Sequence, residues 1–220
     1  MKRIVFLVLT VFCAAQVFAQ VDIAQTGVIK ELTGTVELKA SNQARFVPAR
    51  AGDPVFGNTI ISTGFKSTAL VTVGSAVLTV RPLTRLSLSE ISASAGTETL
   101  NVGLQTGRVR VDVNPPAGTR ASMSISSPVA TASVRGTSFE FDTQSITVEK
   151  GRVAFKGAAG RTMLVGAGAA SEIDSDGKAT DPFDTGASDF LPPLVAGEQS
   201  HRRQEPPIIR GSVNFALELR

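Results

Sequence analysis

Asp184-Thr185-Gly186-Ala187-Ser188 is the run in this 220-residue chain that matches a catalytic signature, the D-T-G-[SA]-[SA] of aspartic proteases. In that chemistry two aspartates share a proton and activate water. One copy is present, so catalysis would need two chains, and Asp181-Pro182 stands where an apolar strand should lead in. An acidic turn accounts for the residues better. Asp174-Ser175-Asp176-Gly177 has the look of a calcium loop. With Gly177 at the sixth position, however, Phe183 falls where a bidentate Glu is needed, so a D-G β-turn is the reading. Gly166-Ala167-Gly168 is half of a dinucleotide fingerprint with no helical pattern after it. His201 is the single histidine, set between Ser200 and Arg202, and no G-x-S-x-G elbow offers it a nucleophile. One His and one Cys do not make a zinc or copper ligand set. The expectation is a protein that is not an enzyme and uses no cofactor and no metal.

The chain opens with Lys2 and Arg3, an apolar run from Ile4 to Ala15, and Gln16-Val17-Phe18-Ala19. That is the pattern of a secretory signal peptide cut after Ala19. Its apolar core is shorter than the roughly 20 residues of a membrane span, and no later segment approaches that length. An exported protein of the periplasm or cell surface is expected, with no membrane span after cleavage. Cys13 lies inside the leader and follows Thr10-Val11-Phe12 rather than the small residues of a lipoprotein box. The mature chain then has no disulfide. Removing Lys2 and Arg3 takes the formal net charge from +3 to +1, which gives no indication of nucleic acid as a partner.

The elements that would position a site read as strands. Apolar residues alternate with polar ones at Val36 and Leu38, at Ala69, Val71 and Val73, and at Leu100, Val102 and Leu104; Val109, Val111 and Val113 continue the pattern. Each run puts its apolar side chains on one face and Thr, Ser, Arg, Glu or Asp on the other. Gly74-Ser75 and Glu149-Lys150-Gly151 separate such runs by the few residues a reversal needs. A G-x-V unit recurs at Gly34, Gly107 and Gly151 without a constant period. The expected organisation is a leader over 1–19, a β-domain over 20–175, a polar Pro/Gly linker over 176–207 and a C-terminal strand over 208–220. Val213, Phe215, Leu217 and Leu219 alternate in that last segment. It would cap an edge of its own domain or pair with another molecule into a strand-mediated oligomer.

Thr131-Ala132-Ser133-Val134-Arg135-Gly136-Thr137-Ser138-Phe139-Glu140-Phe141 resembles the A-x-V-R-G-T-x-F-x-[VF] signature of FecR domains. Phe46 to Ala69 is similar to the family's opening block, and Gly74-Ser75, Leu86-Ser87-Leu88, Gly107-Arg108-Val109 and Gly151-Arg152-Val153 follow in the family's order. The similarity covers about residues 28 to 170. It implies an all-β fold built as an irregular, twisted β-solenoid-like stack of short strands; alternation alone leaves a β-sandwich as the alternative. FecR-like regulators of iron transport also carry a cytoplasmic sigma-factor-holding segment and a membrane span, and neither is read here. The resemblance therefore implies a non-enzymatic binding or scaffolding module of the bacterial cell envelope, its partner an envelope protein or polymer. The alternative is a periplasmic adaptor in FecR-type signalling to a separate regulator or outer-membrane receptor.

Val134, Arg135, Gly136, Thr137 and Phe139 are the motif's candidate site residues, read as structural. Phe139 and Phe141 alternate with Ser138, Glu140 and Asp142, which predicts a buried Phe139 and a Glu140 whose loss costs little. Arg135 has two readings. It is a partner-binding guanidinium, or it ties the Gly136 turn to a carboxylate or to carbonyls, and the turn residues beside it favour the tie. Arg108, Arg110, Arg135 and Arg152 together can also form an exposed basic stripe at the turn ends. The absence of Trp and Tyr removes the aromatic faces on which sugars and single-stranded nucleic acid usually stack.

Overall fold

Alternation of apolar with short polar residues makes strands of every regular element in the computed structural model, which describes residues 23–24, 26–94 and 96–185. In chain order these are β1 (Ile23–Ala24), β2 (Gly27–Thr33), β3 (Val36–Lys39), β4 (Val47–Pro48), β5 (Pro54–Val55) and β6 (Thr59–Thr63). There follow β7 (Thr68–Val73), β8 (Ala76–Val80), β9 (Arg85–Ser94), β10 (Thr97–Thr106), β11 (Arg108–Val113) and β12 (Arg120–Ser126). The last are β13 (Ala130–Val134), β14 (Ser138–Asp142), β15 (Ser145–Lys150), β16 (Arg152–Gly157), β17 (Met163–Gly166), β18 (Ala169–Glu172) and β19 (Phe183–Asp184).

They form two sheets. Sheet A runs β17-β16-β13-β12-β10-β9-β6-β3-β4, with β1 also on β9; sheet B runs β19-β18-β15-β14-β11-β8-β7-β2-β5. The chain zigzags between the sheets, commonly laying a hairpin in one before crossing to the other. Both sheets therefore advance in chain order, apart from β1, which lies on β9, and β4 and β5, which fold back to cover β3 and β2. Those two outermost strands carry Pro48 and Pro54, residues that cannot donate to a further strand. Pairing is antiparallel except between β10 and β12, which become neighbours because β11 leaves for sheet B between them.

The inward side chains of both sheets make one apolar core. Val111, Phe139 and Val148 are cross-strand neighbours in sheet B, as are Val109, Phe141 and Ile146, all fully buried. Phe155 reaches in from sheet A and meets Phe141 edge to face, centroids 6.3 Å apart at 79°, a favoured aromatic geometry.

The all-β expectation holds. The two-sheet arrangement fits the β-sandwich alternative more closely than a solenoid-like stack, although strand order following the chain is what a stack also has. Of residues 176–185, at the start of the expected linker, Ala179 and β19 take part in β pairing. Ile173 bridges Ala179, and β19 pairs with β18. The leader, residues 186–207 of the expected linker and the 208–220 segment lie outside the described residues.

Phe139→Ala should lower stability by about 3–5 kcal/mol, since the whole ring is removed from a packed interior. Denaturant midpoints check it; a loss below about 1 kcal/mol would mean that the ring is not in the core.

Candidate functional site

Three crossings between the sheets share one construction. At each, a residue with left-handed backbone precedes a buried hydroxyl residue: Lys66 before Ser67, Leu83 before Thr84, Gly136 before Thr137 (φ 53°, 56° and 65°). Opposite each stands a left-handed glycine of another crossing, Gly34, Gly107 and Gly151 respectively. Ser67 Oγ accepts the Thr35 N–H at 2.8 Å and donates to Phe65 O at 3.0 Å. Thr84 Oγ1 accepts the Arg108 N–H at 2.9 Å and lies 3.3 Å from Pro82 O. A Cβ on Gly34 would overlap Ser67 Oγ, and one on Gly107 would overlap Thr84 Oγ1 and sit 2.5 Å from its Cα. The third crossing departs from the pattern. Thr137 turns its methyl group toward Gly151, and its Oγ1 is buried without a hydrogen-bond partner.

The FecR-like motif residues thus fall into two groups. Val134, Thr137 and Phe139 are buried, and Gly136 supplies the left-handed step, where a Cβ would meet nothing closer than Pro115 Cδ at 3.8 Å. Arg135 is exposed and makes no ion pair or side-chain hydrogen bond among the described residues. The carboxylate tie is therefore not formed. The basic stripe is split as well: Arg135 and Arg152 are exposed without acidic partners, whereas Arg108 and Arg110 belong to an ionic lattice on the outer face of sheet B.

That lattice corrects the expectation for Glu140. Its carboxylate, 11% exposed, stands 3.7 Å from Arg81 and 3.2 Å from Arg108, which also lies 3.5 Å from Asp142. Arg110, 4% exposed, is 3.2 Å from Asp112 and is hydrogen-bonded by Glu149. Burial holds the Arg81 guanidinium below its ordinary range, against the pull of Glu140. For Arg110 burial acts the same way, but the hydrogen bonds to Glu149 and Asp112 outweigh it and raise the group. Both stay charged, because arginine keeps its proton in proteins. Sequence reading missed Arg81 and Glu140 as partners, since Arg81 lies far from Glu140 along the chain and only strand order brings them together.

An open polar groove of about 530 Å³ borders the Gly107 crossing, with Arg108, Asp142, Gln144 and Glu172 among its walls. Asp142 is already engaged there, accepting the N–H groups of Gln144 and Ser145 at 2.8 and 2.7 Å and the Ser145 hydroxyl at 2.9 Å. The other sequence candidates take structural places. Asp184 is exposed on edge strand β19, and Gly186, Ala187 and Ser188 lie outside the described residues, as does His201. Asp174 Oδ1 accepts the N–H groups of Asp176 and Lys178, with Gly177 left-handed, as a β-turn requires. Gly166 and Gly168 join β17 to β18.

Residues 59–159 match the family model described as FecR protein. Two crystal structures of a candidate anti-sigma factor from Parabacteroides distasonis, at 2.50 and 1.65 Å resolution, are similar at 15% identity and a TM-score of 0.46. The match covers 57% of this chain and 59% of that protein. Likeness at that level fixes neither architecture nor activity. No curated protein matches the chain.

Two outcomes are expected. Gly136→Ala should cost about 1–2 kcal/mol, the penalty of a left-handed Cβ, and Gly107→Ala clearly more, because Thr84 must also move; equal thermal midpoints would refute the paired-crossing account. Glu140→Gln should cost about 1–3 kcal/mol by stripping a carboxylate from two arginines. Chemical denaturation that leaves Glu140→Gln at wild-type stability would show the lattice to be ornamental.

Proposed function

We propose that this chain is a non-enzymatic, exported binding or scaffolding module of the bacterial cell envelope, built on its FecR domain. One observation carries the reading: the motif places Val134, Thr137 and Phe139 in the core and leaves Arg135 as its outward-projecting side chain. A motif arranged in this way builds a rigid frame and offers a surface, which is what recognition needs. The partner on this reading is an envelope protein or polymer. A second reading, a periplasmic adaptor to a separate regulator or outer-membrane receptor, is favoured by the domain match over residues 59–159, because the regulators it resembles work across the envelope.

Two measurements test the proposal. N-terminal sequencing of the protein from the envelope fraction should begin at Gln20; an unprocessed chain held in the membrane would overturn export. Crosslinking in intact cells followed by mass spectrometry should then recover one dominant neighbour. A sigma-factor regulator or receptor supports the adaptor, an adhesion or polysaccharide-assembly component supports scaffolding, and recovery of no neighbour speaks against both.

A further inference from the structure

Sheet A and sheet B present different outer faces. On sheet B, Arg81, Arg108 and Arg110 are paired with Glu140, Asp142, Asp112 and Glu149. On sheet A the strands β12 and β13 present Ser122, Ser124, Thr131 and Ser133 outward, while Met123, Ile125, Ala132 and Val134 point into the core. Ser124 and Ser133 are cross-strand partners. None of these four hydroxyls is hydrogen-bonded to the protein among the described residues, in contrast to Ser67, Ser127, Ser145 and Ser171, whose hydroxyls are all engaged.

At the rim of this face two arginines meet. Val134 and Val153 are cross-strand partners in adjacent antiparallel strands, so the residues just outside that pair, Arg135 and Arg152, lie opposite one another. Both are exposed, and neither has a carboxylate within ion-pair distance among the described residues. Like charges placed directly opposite in a sheet repel. The other arginines at strand positions facing each other, Arg81 and Arg108, have Glu140 between them. At Arg135 and Arg152 that third group is supplied by no part of the described chain.

We infer that Arg135, Arg152 and the neighbouring hydroxyls form a binding site for an acidic polysaccharide, with a carboxylate of the polymer seated between the two guanidinium groups. Arginine forks suit carboxylates, and the hydroxyls, about 4.8 Å apart from strand to strand, offer both donor and acceptor to sugar hydroxyls. A protein partner fits this face less well, because protein interface cores are depleted in Ser and rich in large anchors. With no aromatic residue in β12 or β13, sugar stacking does not supply the affinity on this face, so the ligand's charge must. The inference rests on the binding-module reading and specifies its polymer partner.

The test uses the mature full-length protein and calorimetric titration with polygalacturonate, dextran and poly-glutamate. Polygalacturonate should bind, more weakly as salt is raised, and dextran should not. Arg135→Gln combined with Arg152→Gln should weaken binding by about tenfold or more at an unchanged thermal midpoint, and Ser124→Val with Ser133→Val should weaken polygalacturonate without affecting any residual poly-glutamate signal. Three results would overturn the inference: no polygalacturonate binding, binding indifferent to the arginine pair, or poly-glutamate binding as tightly as the sugar polymer, which would make the site one for acidic protein segments. Any of these leaves the module reading standing, since crosslinking in cells judges that separately.

Discussion

The architecture depends on how the chain passes from one sheet to the other. At a crossing the backbone leaves its ladder, and N–H groups turned toward the interior must find an acceptor. Ser67 and Thr84 provide one from a side chain short enough to stay in the corner, and they can do so only because the facing residue, Gly34 or Gly107, has no Cβ. The glycine also takes the left-handed backbone at little cost. Lys66 and Leu83 take it at a greater one, so the surrounding contacts must hold them there. The motif crossing relieves that strain with Gly136, although Thr137 there turns its methyl rather than its hydroxyl toward the facing glycine.

Once the crossings fix strand order, the outer faces follow. Arg81, Arg108 and Arg110 come to lie beside Glu140, Asp142, Asp112 and Glu149 on sheet B, binding four neighbouring strands by charge as well as by the backbone ladder. Partly buried pairs of this kind are screened less by salt than surface pairs. Sheet A lacks such a lattice over β12 and β13, whose short hydroxyls are left facing water. The same fold therefore has one face that carries an ionic lattice and one whose short hydroxyls remain available.

What could be read from the sequence was whatever a short window contains. Alternation gave the strands and placed Phe139 and Phe141 inside, and the G-x-V units marked one half of each paired crossing. The other half, a hydroxyl residue after a turn, stands at no fixed separation from its glycine, and nothing local distinguishes Thr84 from the threonines of the strands. Glu140 looked like a solvent residue because it alternates with two phenylalanines. Its neighbours Arg81 and Arg108 become visible only when β8, β11 and β14 are laid side by side. Arg135 was read as a tie for the same reason in reverse, since the carboxylate that would have tied it had to be assumed. Composition marks residues 176–185 as polar and Pro/Gly-containing, and does not record the backbone pairing by which β19 closes onto β18.

Because both sheets add strands in the order in which the chain runs, each crossing lays its new strands against strands already made. Such a body can be assembled by accretion from the β2–β7 end toward β19, with β1 joining once β9 is in place. The hairpins such as β7–β8 and β9–β10 close short loops, and the pairings that span a crossing close longer ones. The two ends of the body then have different histories: one is the seed, sealed by β4 and β5 with their prolines, and the other is the growing tip, where β17 and β19 are the last strands laid down. Lengthening such a protein requires no rethreading. A further crossing and its strands could be appended at the tip while everything beneath kept its packing.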